Sequence, residues 1–152
     1  MKRILVWTLV LMICAVCFAS CAQMEQKIGQ TVSVAAVEAV ANELSEQGVT
    51  CELAGEEQLA QIQEGFAGTL AEEYGIEPQG EMTAVLMGEY TNPENDDWVL
   101  YWAFGFSSSA DADAMEKLAN DEYADELAQG KAIVVNGGYM VSITVSSVVI
   151  DQ

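Results

Sequence analysis

The sequence predicts an α+β domain: two N-terminal helices, then strand-strand-helix-strand-strand forming a mainly antiparallel four-stranded sheet with helices packed on it. Three observations carry this reading. Apolar residues recur every three to four positions between Thr31 and Tyr74, large side chains alternate with smaller ones from Trp98 to Phe106, and Gly137-Gly138 joins two β-rich runs near the C-terminus. A 3.6-residue period marks one buried helix face, and a two-residue period marks one buried sheet face.

Taken in order, Thr31 to Gln47 reads as a helix with Val32, Ala36, Ala39/Val40 and Leu44 along its buried stripe and Gly48 as its stop. Val49–Leu53 fits a strand or a turn equally well and stays unassigned. Glu56 to Tyr74 is a clearer helix, with Leu59, Ile62, Phe66, Leu70 and Tyr74 on one side, acids in the first turn and Gly75 behind it. Glu81–Tyr90 and Trp98–Ser107 read as strands joined by the polar loop Thr91–Asp97. Trp98, Leu100, Trp102, Phe104 and Phe106 fall on one face of the second, which makes Trp98, Trp102 and Phe104 expected core residues beneath the helices. Ser108-x-x-Asp111 looks like a helix cap, opening a helical segment to about Gln129 that Asn120-Asp121 could break in two. Lys131–Asn136 and Tyr139–Val149 flank the Gly-Gly turn as a hairpin.

The start of the chain is of a different kind. Met1-Lys2-Arg3 precedes fifteen apolar-dominated residues, Ile4 to Phe18, and then Ala19-Ser20-Cys21. Cations, a short apolar core and small residues before a cleavage point make a secretory leader rather than a fold element. Phe18-Ala19-Ser20-Cys21 resembles the lipobox of bacterial lipoprotein signal peptides. That resemblance implies a lipid on Cys21, which would become the mature N-terminus. It divides the chain into a leader (1–20), a short polar tether (21–30) and one domain (31–152). Two acyl chains would hold such a protein stably at the extracytoplasmic face of the cell membrane. An uncleaved anchor is one alternative, though Ile4–Ala22 is 19 residues long with Thr8 and Ser20 inside it. Ordinary secretion after Ala19 or Ser20 is the other.

Composition then excludes whole classes of function. Without residues 1–20, three lysines stand against 24 acids, a formal charge of −21 on 132 residues. That surface repels phosphate backbones, so nucleic acid is not a partner. It also repels anionic head groups, so attachment to the membrane falls to the anchor. The chain is nonetheless 51% hydrophobic, enough to fold beneath an acidic skin. Histidine is absent, which removes the commonest general base and the partner of a serine nucleophile. With Cys14 and Cys17 in the leader and Cys21 lipidated, Cys51 has no disulfide partner and reads as a small buried apolar group.

Tyr74-Gly75-Ile76-Glu77-Pro78, the strand ending in Phe106, the helix from Asp111 and Asn136-Gly137-Gly138-Tyr139-Met140-Val141 resemble small uncharacterised lipoproteins of Gram-positive gut bacteria. The likeness spans roughly residues 44–146 and implies a layout, with no activity and no site to carry over.

No motif announces chemistry. Glu94-Asn95-Asp96-Asp97 and Asp111/Asp113 lack the spacing of a calcium loop and read as solvated acids and a helix start, so no metal and no cofactor is expected. Paired carboxylates could serve glycoside hydrolysis, but among 24 acids such pairs arise by chance. The expected function is therefore a non-catalytic binding or interaction module whose partner is an envelope protein or a small ligand. A carboxylate-dependent hydrolase of envelope polymers and a purely structural acidic envelope protein are the alternatives. The expected binding surface is the sheet's more open face, Tyr101, Met140, Ser142 and Thr144, with Asp96 and Asp97 in the adjoining loop.

Overall fold

A computed structural model of the chain describes the backbone of residues 2–150 and the side chains of residues 23–150. The side chains of residues 1–22, the expected leader and Cys21 among them, lie outside the described residues. The elements are α1 (Lys2–Glu46), β1 (Thr50–Leu53), α2 (Glu56–Tyr74), β2 (Met82–Thr91), β3 (Trp98–Phe106), α3 (Ser109–Glu122), α4 (Ala124–Ala128), β4 (Ala132–Asn136) and β5 (Met140–Ser146). The class is α+β, as the two periodicities require.

The sheet has five strands rather than four, in the order β1-β2-β3-β5-β4, and every neighbouring pair is antiparallel. The added strand is β1, which lies between the first two helices in sequence and pairs with β2 from Thr50↔Glu89 to Leu53↔Leu86. Four residues are too few for a pattern to declare itself; pairing with β2 makes this segment a strand.

The sheet is covered on both faces. On one side Phe66 and Leu70 of α2 and Ala112, Met115 and Ala119 of α3 meet Val85, Phe106, Val141, Ile143 and Val145 in the main core. Phe66 and Phe106 tilt against each other with ring centroids 5.5 Å apart, a geometry that adds to simple burial. On the other side α1 lies over β1–β3, where Val37, Leu86 and Ala103 form a smaller cluster joined by Val40, Ala41 and Leu44.

The face that α1 buries differs from the expected stripe. Gly29, Ser33 and Val37 are inward and Val32 is outward. The cause is close approach. A Cβ on Gly29 would lie 2.8 Å from the Tyr139 ring and closer still to the Ser107 carbonyl, and one on Gly105 would lie 3.1 Å from the Ser33 Cβ. Small residues let the helix backbone settle onto the strands, and Ser33 Oγ bonds both the Gly29 carbonyl and Thr83 Oγ1, each at 2.6 Å. Ala22–Gln30, expected as a tether, lies within α1. Its Gln26 Nε2 donates to the Gln79 carbonyl at 3.0 Å.

Termini follow the local chemistry. Gly75, at φ +66°, ends α2 with bonds from Gly75 N to Ala71 O and from Ile76 N to Leu70 O, the pairing of a left-handed helix stop. Ser108 makes no side-chain cap. Asp111, 3% exposed, instead accepts from Gln79 N and Gly80 N at 2.8 Å each. A residue read as a helix-start acid is thus a clamp on the α2–β2 connection.

Candidate functional site

The sequence-derived surface residues fall into two groups. Strand pairing brings Tyr101 opposite Thr144, Ala103 opposite Ser142 and Gly105 opposite Met140, so Tyr101, Met140, Ser142 and Thr144 share the α1-facing side. That side is partly occupied, because Tyr101 and Met140 pack against the Val37 cluster beneath α1. Burial pushes the Tyr101 phenol above its ordinary value, against a hydrogen bond with Ser142 that works to lower it. Asp96 and Asp97 stand apart, in the β2–β3 loop. That loop is tied to itself: Asn95 Nδ2 donates to Asp97 Oδ2 at 2.6 Å and Asp96 N to Asn92 O at 2.9 Å, with Asp96 at φ +58°. Cys51 is half-buried against the same α1 cluster.

The opposite face carries two hollows. There the cross-strand rungs are Val85–Phe104–Val141, then Met87–Trp102–Ile143–Val134, then Glu89–Leu100–Val145–Ala132. The expectation that Trp98, Trp102 and Phe104 are all covered core holds only in part. Phe106 is buried, Phe104 and Trp102 are half-buried, and Trp98 is 38% exposed. The helices of this face cover the Phe106 end of the row and leave its start open.

Between α2 and α3 runs an apolar cleft of about 260 Å³, floored by Phe104 and Ile143 and walled by Ile62, Phe66, Leu118 and Tyr123, with Glu122 beside Tyr123. Gly65 lines it, and a Cβ there would meet nothing within 4 Å. A second hollow of about 220 Å³ is lined by Met87, Leu100 and Trp102 with the carboxylates of Glu52 and Glu89. Trp102 of the second hollow stacks on Tyr123 of the first, with centroids 6.3 Å apart and planes 22° from parallel. The two hollows therefore adjoin across an aromatic saddle. Burial, then Glu122 and Glu126, pushes the Tyr123 phenol above its ordinary value, which marks the negative field over this saddle.

Two helices frame the cleft without packing tightly on each other. Tyr74 Oη donates to Asp121 Oδ2 at 2.5 Å, and Lys117 Nζ sits 4.2 Å from the Tyr74 ring centroid, a cation–π contact. The hydrogen bond to Asp121, before any other cause, raises the Tyr74 phenol to about 12.

A third hollow, about 470 Å³, is a polar wedge between α1 and the α2–β2 connection, lined by Gln23, Gln26, Lys27 and Gln30. The Gln79 and Gly80 amides beside it are already taken by Asp111. Among the described residues no group of three or more His, Cys, Asp or Glu side chains is placed to hold a metal ion.

Sequence reasoning found the aromatic row but assigned it wholly to the core, and it missed Tyr123, Leu118 and Glu52 as its neighbours. One signal was available: Gly65 interrupts an otherwise well-formed helix stripe next to Phe66, where a side chain would fill the cleft. Compared with known protein families, curated proteins and solved structures, the chain matches none.

Proposed function

We propose that this chain is an extracytoplasmic lipoprotein, held to the cell membrane by a lipid on Cys21, and that it is a non-catalytic binding module. The ligand site in this reading is the α2/α3 groove, and its occupant is a peptide segment of an envelope protein carrying a basic side chain near a bulky apolar one. The observation that carries the proposal is the juxtaposition of the apolar cleft with the hollow bearing Glu52 and Glu89 across the Trp102–Tyr123 stack. Pockets that bind ligands are mostly apolar with a few placed polar groups, and aromatic faces beside carboxylates suit a desolvated cation.

Charge selects among occupants. Three carboxylates and no cation line the two hollows, so an anionic lipid or nucleotide would be repelled. From Phe104 to Leu100 the strand advances about 13 Å, so an extended ligand would place its apolar and basic side chains roughly four residues apart.

Gly65→Leu tests the site without truncating any core residue. It fills the cleft, and leucine is a better helix former than glycine. Titration of short peptides combining Lys or Arg with Leu or Phe, followed by tryptophan fluorescence, should show saturable binding that Gly65→Leu abolishes. Binding unaffected by Gly65→Leu would move the site elsewhere. Hydrolysis of envelope polymers by the purified domain would replace a binder with an enzyme. The anchor is tested separately by the intact mass of membrane-extracted protein, where a chain beginning at Cys21 and carrying lipid is expected.

A further inference from the structure

Over its described residues α1 is apolar on two opposite sides, and among the described residues only one of them has a partner. Gly29, Ser33 and Val37 face the sheet. On the far side Met24, Ile28 and Val32, spaced four apart, are 62, 51 and 48% exposed, and they line one apolar trough with Lys27 and Thr31. Side chains four apart stack along one helix face, so this is a continuous stripe about 12 Å long. In a chain otherwise so acidic, the only carboxylate between residues 24 and 37 is Glu25. It is turned toward the domain, where its Oε1 accepts from Ser109 Oγ at 3.4 Å.

We infer that this stripe lies on the bilayer surface, so that α1 is clamped between the sheet and the membrane. The inference rests on the lipid-anchor reading, because Met24 follows Cys21 by only three residues and acyl chains there would bring the stripe to the lipid. A helix with an apolar face and a flanking lysine sits in the interfacial plane, with the lysine stem reaching the head groups. The fold supplies the consequence. Because α1 and α2/α3 cover opposite faces of the sheet, α1 on the membrane directs the groove outward, away from the lipid.

The test uses the full-length, membrane-extracted protein in phosphatidylcholine vesicles. Cys51→Ala removes the free thiol, and spin labels are placed one at a time at positions 24, 28 and 32, and at 26 and 30 as off-stripe controls. The ratio of collisions with oxygen to collisions with a water-soluble nickel chelate should be several-fold higher at 24, 28 and 32 than at 26 and 30. Equal water access at all five positions would overturn the inference. Dipolar broadening between labels on different molecules would also overturn it, by showing that a second copy covers the stripe. Intact mass of the same sample reports lipid on Cys21 independently. Loss of the anchor reading and loss of the docked helix are thereby separate results.

Discussion

At the scale of single residues, two polar contacts hold segments that apolar packing alone would leave loose. Asp111 is almost fully buried and accepts both the Gln79 and the Gly80 amide. A hydrogen bond to a charged group contributes about 1.5–3 kcal/mol, and an orphaned buried amide adds a desolvation cost. Asp111→Ala should therefore lower stability by about 3 kcal/mol in urea denaturation, and Asp111→Asn, which keeps one acceptor, by about half that. The Tyr74–Asp121 bond gives a pH signature. The folded phenol titrates at about 12 against the ordinary 10.0, so the proton is held more tightly in the folded state than in the unfolded one. Stability from this contact is fully present below pH 10 and is lost as pH rises from 10 to about 12. Tyr74→Phe should therefore be modestly less stable than the wild type below pH 10, because the pair is exposed and its contribution small, and the difference should vanish as pH rises to about 12.

Elements differ in how much of them the sequence declares. α2 occupies the span its apolar stripe predicts, because Leu59, Ile62, Phe66, Leu70 and Tyr74 repeat at helical spacing between an acidic start and Gly75. The inward face of α1 was not legible, because a search for large apolar side chains cannot see a contact built from Gly29, Ser33 and Gly105. The same blindness hides the groove: alternation places Trp102 and Phe104 on one face, but nothing local states that α2 and α3 diverge above them. Glycine substitutions expose this difference. Gly29 and Gly68 are both inside helices, and alanine should gain about 1 kcal/mol of helix propensity at each. Gly68 has open space around it, whereas Gly29 abuts the Ser107 carbonyl and the Tyr139 ring. Gly68→Ala should raise the melting temperature by about 3 °C, and Gly29→Ala should lower it by levering α1 off the sheet. Calorimetry of the pair compares equal propensity changes of opposite outcome.

For the whole molecule, charge, anchor and layer order form one arrangement. An acidic domain is repelled from anionic lipid and phosphate, so membrane attachment needs a covalent or apolar route, which the proposed lipid on Cys21 and the apolar stripe of α1 would supply. The helices on the other face then flank the only aromatic, acid-rimmed concavity among those described, on the side of the sheet opposite α1. The surface expected from sequence, Tyr101 to Thr144, is the side on which α1 lies, which is why the binding proposal moves across the sheet to Trp102 and Tyr123. Hydrogen exchange on the membrane-extracted protein, with and without cell-envelope extract, tests this account most directly, comparing wild type with Gly65→Leu. The account predicts new protection at residues 100–104 and 118–123 in the wild type, absent from Gly65→Leu. Protection confined to residues 91–97 and 140–144, or identical in both proteins, would contradict it.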